Sequence, residues 1–230
     1  MLPRIPEPEV MDSTQEALDY DQMDHRAVNQ TFVDDLLRFL ESVPDVFRSR
    51  NLQVLDLGTG TAQIPVLLLQ AAPEFGTVTA CDLSLEMLKL GNSNVTQAGF
   101  SEKIQLIFCD AKTLPVADAS VDVLISNSII HHIPEPADVF REVRRCIRPG
   151  GVIFFRDLLR PRDQPELELL VQTWAGDANS HQKQMFRESL HAALTVTEVQ
   201  AMIAALGLDP DSVSQTSDRH WTLAALIPGP

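Results

Sequence analysis

Apolar positions in the chain fall at two different periods. Between residues 19 and 41, Phe32, Val33, Leu36, Leu37 and Leu40 recur on one helical face, and the spacing predicts a helix there. Beyond it, short apolar runs at 53–57, 77–81, 104–109, 121–126 and 152–156 have the length and β-branched content of buried strands. Helical patterns separate them, starting near Ala62, Ser84 and Glu135, and are long enough for right-handed crossovers between parallel strands. Pro65 fits the first of these helices, because an opening turn has no intrahelical use for the missing N–H. The pattern predicts an α/β, doubly wound sheet, whose ligands gather at the carboxyl ends of its strands.

After Phe155 the regularity fades into a polar and aromatic insert, 157–193, read as one or two helices. Residues 194–206 then read as a helix, with Thr195 and Glu198 spaced as a capping box. Val199, Met202, Ile203 and Leu206 form its apolar face, and Gly207 is its stop. The closing stretch SVSQTSDRHWTLAALI reads as two strands joined at Ser217 to His220, which makes the sheet mixed. No repeat or linker divides the chain, so residues 1–18 are expected to be a flexible arm on a single domain, 19–230.

Composition narrows the function. The 230 residues are 44% hydrophobic without a run of membrane length, and 18 basic against 32 acidic side chains leave a net charge of −14. That balance opposes general attraction to nucleic acid or anionic membrane surfaces. Arg141, Arg144, Arg145 and Arg148 gather locally, but Val139, Phe140, Val143 and Ile147 interleave at helical spacing, so the arginines are expected on a solvent face. The proline-rich, acidic start MLPRIPEPEVMDS lacks a secretion pattern, and a cytoplasmic location is expected. Cys81, Cys109 and Cys146 are too few and too widely spaced for a disulfide scaffold and read as buried thiols; no metal site is expected.

The chemistry begins at VLDLGTGTAQ, residues 54–63, where Gly58 and Gly60 follow the first strand. A glycine turn there lets a cofactor approach the backbone, and by itself could cradle NAD, FAD or another adenosine-containing molecule. Asp82 ends the second strand, 24 residues after Gly58, where a carboxylate can accept both hydrogens of a ribose diol. Three features turn the reading away from a dinucleotide. Asp56 places a buried negative group suited to orienting a loop for a cationic cofactor's amino group; Gln63 replaces the third small residue of a GxGxxG turn; and Asp110, in FCDAKTLP, can accept from an adenine amino group.

At this point the chain resembles the class I S-adenosylmethionine-dependent methyltransferases, particularly a small-molecule branch similar to ubiquinone and menaquinone biosynthesis methyltransferases. The resemblance is carried, in order, by VLDLGTG, ACDLS, CDAKTLP, SVDVLISNSIIHHIPEP and REVRRCIRPGGVIFFRD. It implies a Rossmann-like, seven-stranded mixed sheet with an antiparallel terminal strand and a helical substrate-side insert. It also implies S-adenosylmethionine as cofactor, S-adenosylhomocysteine as product and a small-molecule nucleophile as substrate. Residue by residue, it implies that Gly58 and Gly60 approach the methionine portion and that Asp56 organises their loop. Asp82 binds the ribose hydroxyls, Leu83 and Met87 line the adenosine pocket, Asp110 and Ala111 take the base, Asn127 lies near the methionine or reactive methyl, and Tyr20 closes over the cofactor.

Methyl transfer from a sulfonium needs in-line placement and exclusion of water more than a dedicated base. His131 and His132 follow the fourth strand at the ligand edge and are the candidates for substrate positioning or proton removal. Asp157, Arg160, Trp174, His181, Gln182, Lys183, Phe186, Arg187 and His191 of the insert have the composition of a substrate wall, and the turn Arg219, His220, Trp221 is a further candidate. Two alternatives stay open: an NAD-dependent oxidoreductase, and a noncatalytic partner protein that binds S-adenosylmethionine. Acceptor atom, oligomeric state and pathway are not legible.

Overall fold

The computed structural model describes residues 2–7, 17, 18, 21, 25–43 and 51–229. A seven-stranded sheet in the order β3-β2-β1-β4-β5-β7-β6 is built from β1 (Leu52–Leu57), β2 (Gly76–Asp82), β3 (Ile104–Phe108), β4 (Val121–Asn127), β5 (Ile147–Leu158), β6 (Val213–Gln215) and β7 (His220–Leu226). β1 to β5 run parallel, while β7 runs antiparallel beside β5 and pairs with β6. The strand order reverses between β1 and β4, the switch point at which a crevice opens in such sheets.

Side chains of a strand point alternately to its two faces, and both faces of this sheet are covered. Leu52 and Val54 of β1, Val123 and Ile125 of β4, and Val152 and Phe154 of β5 pack on α1 (Arg26–Ser42) and α2 (Gln63–Ala71) through Phe32, Val33, Leu36, Leu68 and Leu69. The intervening Leu55, Leu57, Leu124, Ile153 and Phe155 face α4 (Pro136–Cys146) and α7 (Val196–Ala204) through Val139, Phe140, Val143, Val199 and Ile203. Trp221 and Leu223 of β7 are fully buried on this second side. α3 (Leu85–Gln97) is capped by Ser84, whose hydroxyl accepts from the Met87 amide. Thr195 and Glu198 form the expected reciprocal capping box at the start of α7, satisfying two of the amides a helix start leaves unpaired.

β5 is longer than the expected 152–156: α4 passes into it at Ile147, and a register shift opposite Val121 and Val123 accommodates Pro149-Gly150-Gly151. The arginine-rich face of α4 is turned outward and paired with acids, Arg145 with Glu142 and Asp118, while Arg148 at the start of β5 pairs with Asp122. The three cysteines are free and buried. The insert folds as α5 (Gln164–Ala175) and α6 (Ser180–Ala192), which close a satellite core of Leu158, Leu167, Leu170, Val171 and Leu190. Leu2, in the segment expected to be a flexible arm, packs against that satellite core. No described helix is long and apolar enough to cross a membrane.

Candidate functional site

Four loops at the carboxyl ends of β1 to β4 bound one cleft. Gly58 and Gly60 both have positive φ, +65° and +55°, a left-handed backbone that L side chains rarely adopt. At Gly58 a Cβ would also come within 2.1 Å of Ile129 Cγ2, so the loop after β4 requires this glycine as much as any ligand does. The Gly60 amide donates to Asp82 Oδ2 and the Ser84 amide to Asp82 Oδ1, each at 2.8 Å. Asp82 therefore ties the β1 loop to the start of α3. An ionised carboxylate offers about four acceptor sites, so two remain for a ligand. Burial raises the Asp82 pKa above the ordinary carboxylate value, and the backbone amides oppose that shift.

Of the residues expected to hold a cofactor, Gly58, Gly60, Asp82, Leu83, Met87, Asp110, Ala111 and Asn127 all line this cleft, which encloses about 790 Å³ including its open mouth. Asp110 stands at one end, its Oδ1 accepting from the Lys112 amide at 2.8 Å with Lys112 Nζ at 3.1 Å. Cys81, Cys109, Ser84, Ser128, Ile129 and Ile133 complete the wall; Cys81 and Cys109, read from sequence as buried thiols, face the ligand cleft.

Beyond Gly58 the cleft adjoins a polar recess of Asn29, Asp56, Thr59, Thr61, Gln63 and Asn127. Asp56 Oδ2 and Asn127 Oδ1 are buried there without a hydrogen-bond partner, an arrangement native proteins usually avoid. Burial, opposed by a hydrogen bond from Thr59 and reinforced by the nearby Asp82 carboxylate, pushes the Asp56 pKa up to about 7. An acid beside an unpaired amide oxygen suits a cationic donor such as an ammonium group. Tyr20 lies outside the described residues.

The adjacent histidines occupy different environments. β4 ends in Asn127, Ser128 takes a left-handed φ of +60°, and Ile130–His132 form a single 3-10 turn. This turn places His132 on the cleft wall and His131 behind it, with ring centroids 4.2 Å apart. His131 is buried, its Nδ1 2.5 Å from Asp157 Oδ1, while Asp157 Oδ2 accepts from the Ile130 amide at 2.5 Å and Oδ1 from the Leu158 amide at 2.6 Å. Burial disfavours charge on both partners, but their mutual attraction prevails: the Asp157 pKa falls and the His131 pKa rises. The expected catalytic pair thus separates into one residue facing the cleft and one anchored to β5.

Sequence reasoning missed two residues on this loop's outer side. Arg4 donates to four carbonyl oxygens, those of Ala192, Pro134, His131 and Ile133, at 2.7 to 3.2 Å. The Ile5 amide adds a bond to His191 O at 3.0 Å, and Glu7 reaches the histidine pair. These partners stand more than 120 positions away in the chain, where no periodic pattern reports them.

None of the insert's residues is among those lining this cleft. Several of its side chains pair within the insert or with neighbouring elements. Arg187 pairs with Glu168, Gln182 completes the cap of α6, Arg160 pairs with Glu198, and Phe186 packs on the satellite core. Trp174 Nε1 donates to Asp218 while the Arg219 guanidinium lies 3.4 Å from its ring centroid, a cation–π contact. Trp221 is core, and His220 Nδ1 meets Ser217 Oγ at 2.9 Å.

Residues 55–155 match a family model described as a methyltransferase domain. The chain is 29% identical over 177 residues to 27-O-demethylrifamycin SV methyltransferase of Amycolatopsis mediterranei, covering 75% of this chain and 61% of that protein. It is 32% identical over 109 residues to demethylmenaquinone methyltransferase of Bacillus velezensis, covering 47% of this chain and 46% of the relative. The chain thus spans less than two thirds of either curated relative. A crystal structure of a SAM-dependent methyltransferase from Aquifex aeolicus shares the fold, with a TM-score of 0.66 and 18% identity over 94% of this chain and 98% of that one. Neither the matched family nor the antiparallel β7 accords with the dinucleotide-oxidoreductase alternative. Every loop of the cleft lies inside the segment that matches the methyltransferase domain model, and the strand order is that of the Rossmann-like fold shared with the solved Aquifex aeolicus methyltransferase.

Proposed function

We propose that the protein transfers a methyl group from S-adenosylmethionine to a small-molecule nucleophile. The observation that carries this reading is the convergence of Gly58, Gly60, Asp82, Asp110 and Asn127 on one cleft at the switch point of a methyltransferase fold. Bound there, the cofactor supplies an electrophilic methyl on a sulfonium and departs as S-adenosylhomocysteine. Asp82 offers its two free acceptor sites to the ribose diol, and Asp110 with Ala111 bounds the adenine side. Leu83 and Met87 exclude water along the nucleoside. Asp56 and Asn127 receive the amino group in the polar recess, and Tyr20 is assigned to closure over the cofactor.

On the acceptor side, His132 orients the nucleophile or takes its proton, while His131, held by Asp157, positions the turn that carries it. The relatives' names specify a demethylrifamycin, a demethylmenaquinone, arsenite and a malonyl acyl-carrier protein. Their shared element is methyl transfer, so the reading commits to a small nucleophile and not to the menaquinone branch. The test is a panel of hydroxyl, thiol and carbon acceptors scored by S-adenosylhomocysteine release. With a turned-over acceptor, His132→Ala should lower kcat at least tenfold while leaving the dissociation constant for S-adenosylmethionine within twofold. An unchanged kcat removes His132 from the chemistry.

A further inference from the structure

Glu7, His131 and His132 bring three ligand-type atoms together behind the turn that carries His132, in an arrangement the methyl-transfer reading does not explain. Glu7 Oε1 lies 3.2 Å from His132 Nδ1 and 3.5 Å from His131 Nε2, and all three atoms are within 4.8 Å of one another. Glu7 Oε1 is nevertheless buried without a hydrogen-bond partner, so these short approaches are not N–H···O bonds. All three atoms lie close enough together to share one ion.

We propose that Glu7, His131 and His132 bind one divalent transition-metal ion of the zinc type through two imidazole nitrogens and a carboxylate oxygen. Metal bonds of about 2.0–2.1 Å in a tetrahedron set neighbouring ligands roughly 3.3–3.4 Å apart, the spacing that the 3.2 and 3.5 Å separations straddle. The outer shell is also in place. Asp157 holds His131 Nδ1 at 2.5 Å, which leaves the Nε2 lone pair for an ion, and Ser189 Oγ donates to the other Glu7 oxygen at 3.2 Å. Both the carboxylate–histidine support and the anchored ligating carboxylate are what metal sites use to fix ring and oxygen orientation.

The donor set sorts the ions. Two imidazoles with one carboxylate suit zinc, cobalt or nickel, whereas magnesium and calcium prefer all-oxygen shells. Three protein ligands leave a fourth position open. Glu7 comes from the segment that Arg4 fastens to the carbonyls of His131 and Ile133, so an ion here would clamp that segment onto the histidine turn.

The test needs neither cofactor nor acceptor, so it succeeds or fails independently of the transferase reading. Metal-free full chain is titrated with zinc by calorimetry and with cobalt by visible absorption. The expected result is one ion per chain, with the intense d–d bands of a tetrahedral cobalt site that zinc bleaches. Glu7→Gln and His132→Ala should each weaken binding by at least about tenfold. Glu7→Gln preserves volume on a segment outside the sheet, and thermal melting of the metal-free variant checks its fold. Absence of stoichiometric binding, or binding at parental affinity in either variant, overturns the proposal.

Discussion

From β1 to β4 the cleft is fastened by backbone: Gly60 and Ser84 amides on Asp82, the Thr59 amide on Cys81 O, and a left-handed turn at Gly58 that admits no side chain. On the outer side, by contrast, the N-terminal segment, the histidine turn and the insert are joined by side chains reaching across long stretches of sequence, Arg4 to four carbonyls and His131 to Asp157. Backbone geometry constrains residue type at every position and so writes itself into local sequence. Side-chain cross-links constrain only two residues each and can be placed almost anywhere in the chain. Under the proposed function, the first construction suits a cofactor that does not vary, the second an acceptor that does.

The comparison breaks most visibly at Asp82. Under the proposed function, Asp82→Ala removes two charge-assisted hydrogen bonds worth about 1.5–3 kcal/mol each, a loss of at least a hundredfold in affinity for S-adenosylmethionine. Trp174→Ala, in the insert, should leave that affinity within twofold. Calorimetric titration of both variants checks the contrast, and equal losses would erase the distinction between the two sides.

A smaller effect is expected at Gly58. Gly58→Ala adds a Cβ at 2.1 Å from Ile129 and forces alanine to φ +65°. Overpacking and backbone strain should together cost about 2–4 kcal/mol, read as a fall in the denaturation midpoint at unchanged m-value. A midpoint equal to the parent's would show that the loop relaxes freely.

A third effect, comparable in size, is a pH dependence from Asp56, whose folded pKa of about 7 stands above its ordinary value of 3.8. Between those values the folded chain binds a proton that the unfolded chain has released, so stability falls as pH rises from about 4 to about 7 and is level above. Asp56→Asn should flatten that slope, measured by denaturation across the same interval. If an ammonium group occupies the recess it favours the carboxylate, and cofactor binding near pH 7 should release a proton, seen as a binding enthalpy that varies with the buffer's ionisation enthalpy.

The same contrast explains what the sequence disclosed. The apolar runs at 53–57 and 121–126, the Thr195 and Glu198 cap, and the strand-end positions of Asp82 and Asp110 were legible, because each depends on neighbours a few residues away. His131 and His132 were legible only as a pair; adjacency hides that one turn of 3-10 helix sends the first into the protein and the second to the cleft. The insert's pairings were not legible either, because Arg187 meets Glu168 on the neighbouring helix and Trp174 meets Asp218 on a distant turn. Glu7 gave no signal, since nothing local in a proline-rich start indicates docking beside residue 131.

The central claim is that the cleft at the ends of β1 to β4 is a site for S-adenosylmethionine. Its most direct test is calorimetric titration of the purified chain with S-adenosylmethionine, S-adenosylhomocysteine and NAD in parallel. The account predicts saturable, one-to-one binding of the first two and none of the third. Binding of NAD without either of the others would contradict it.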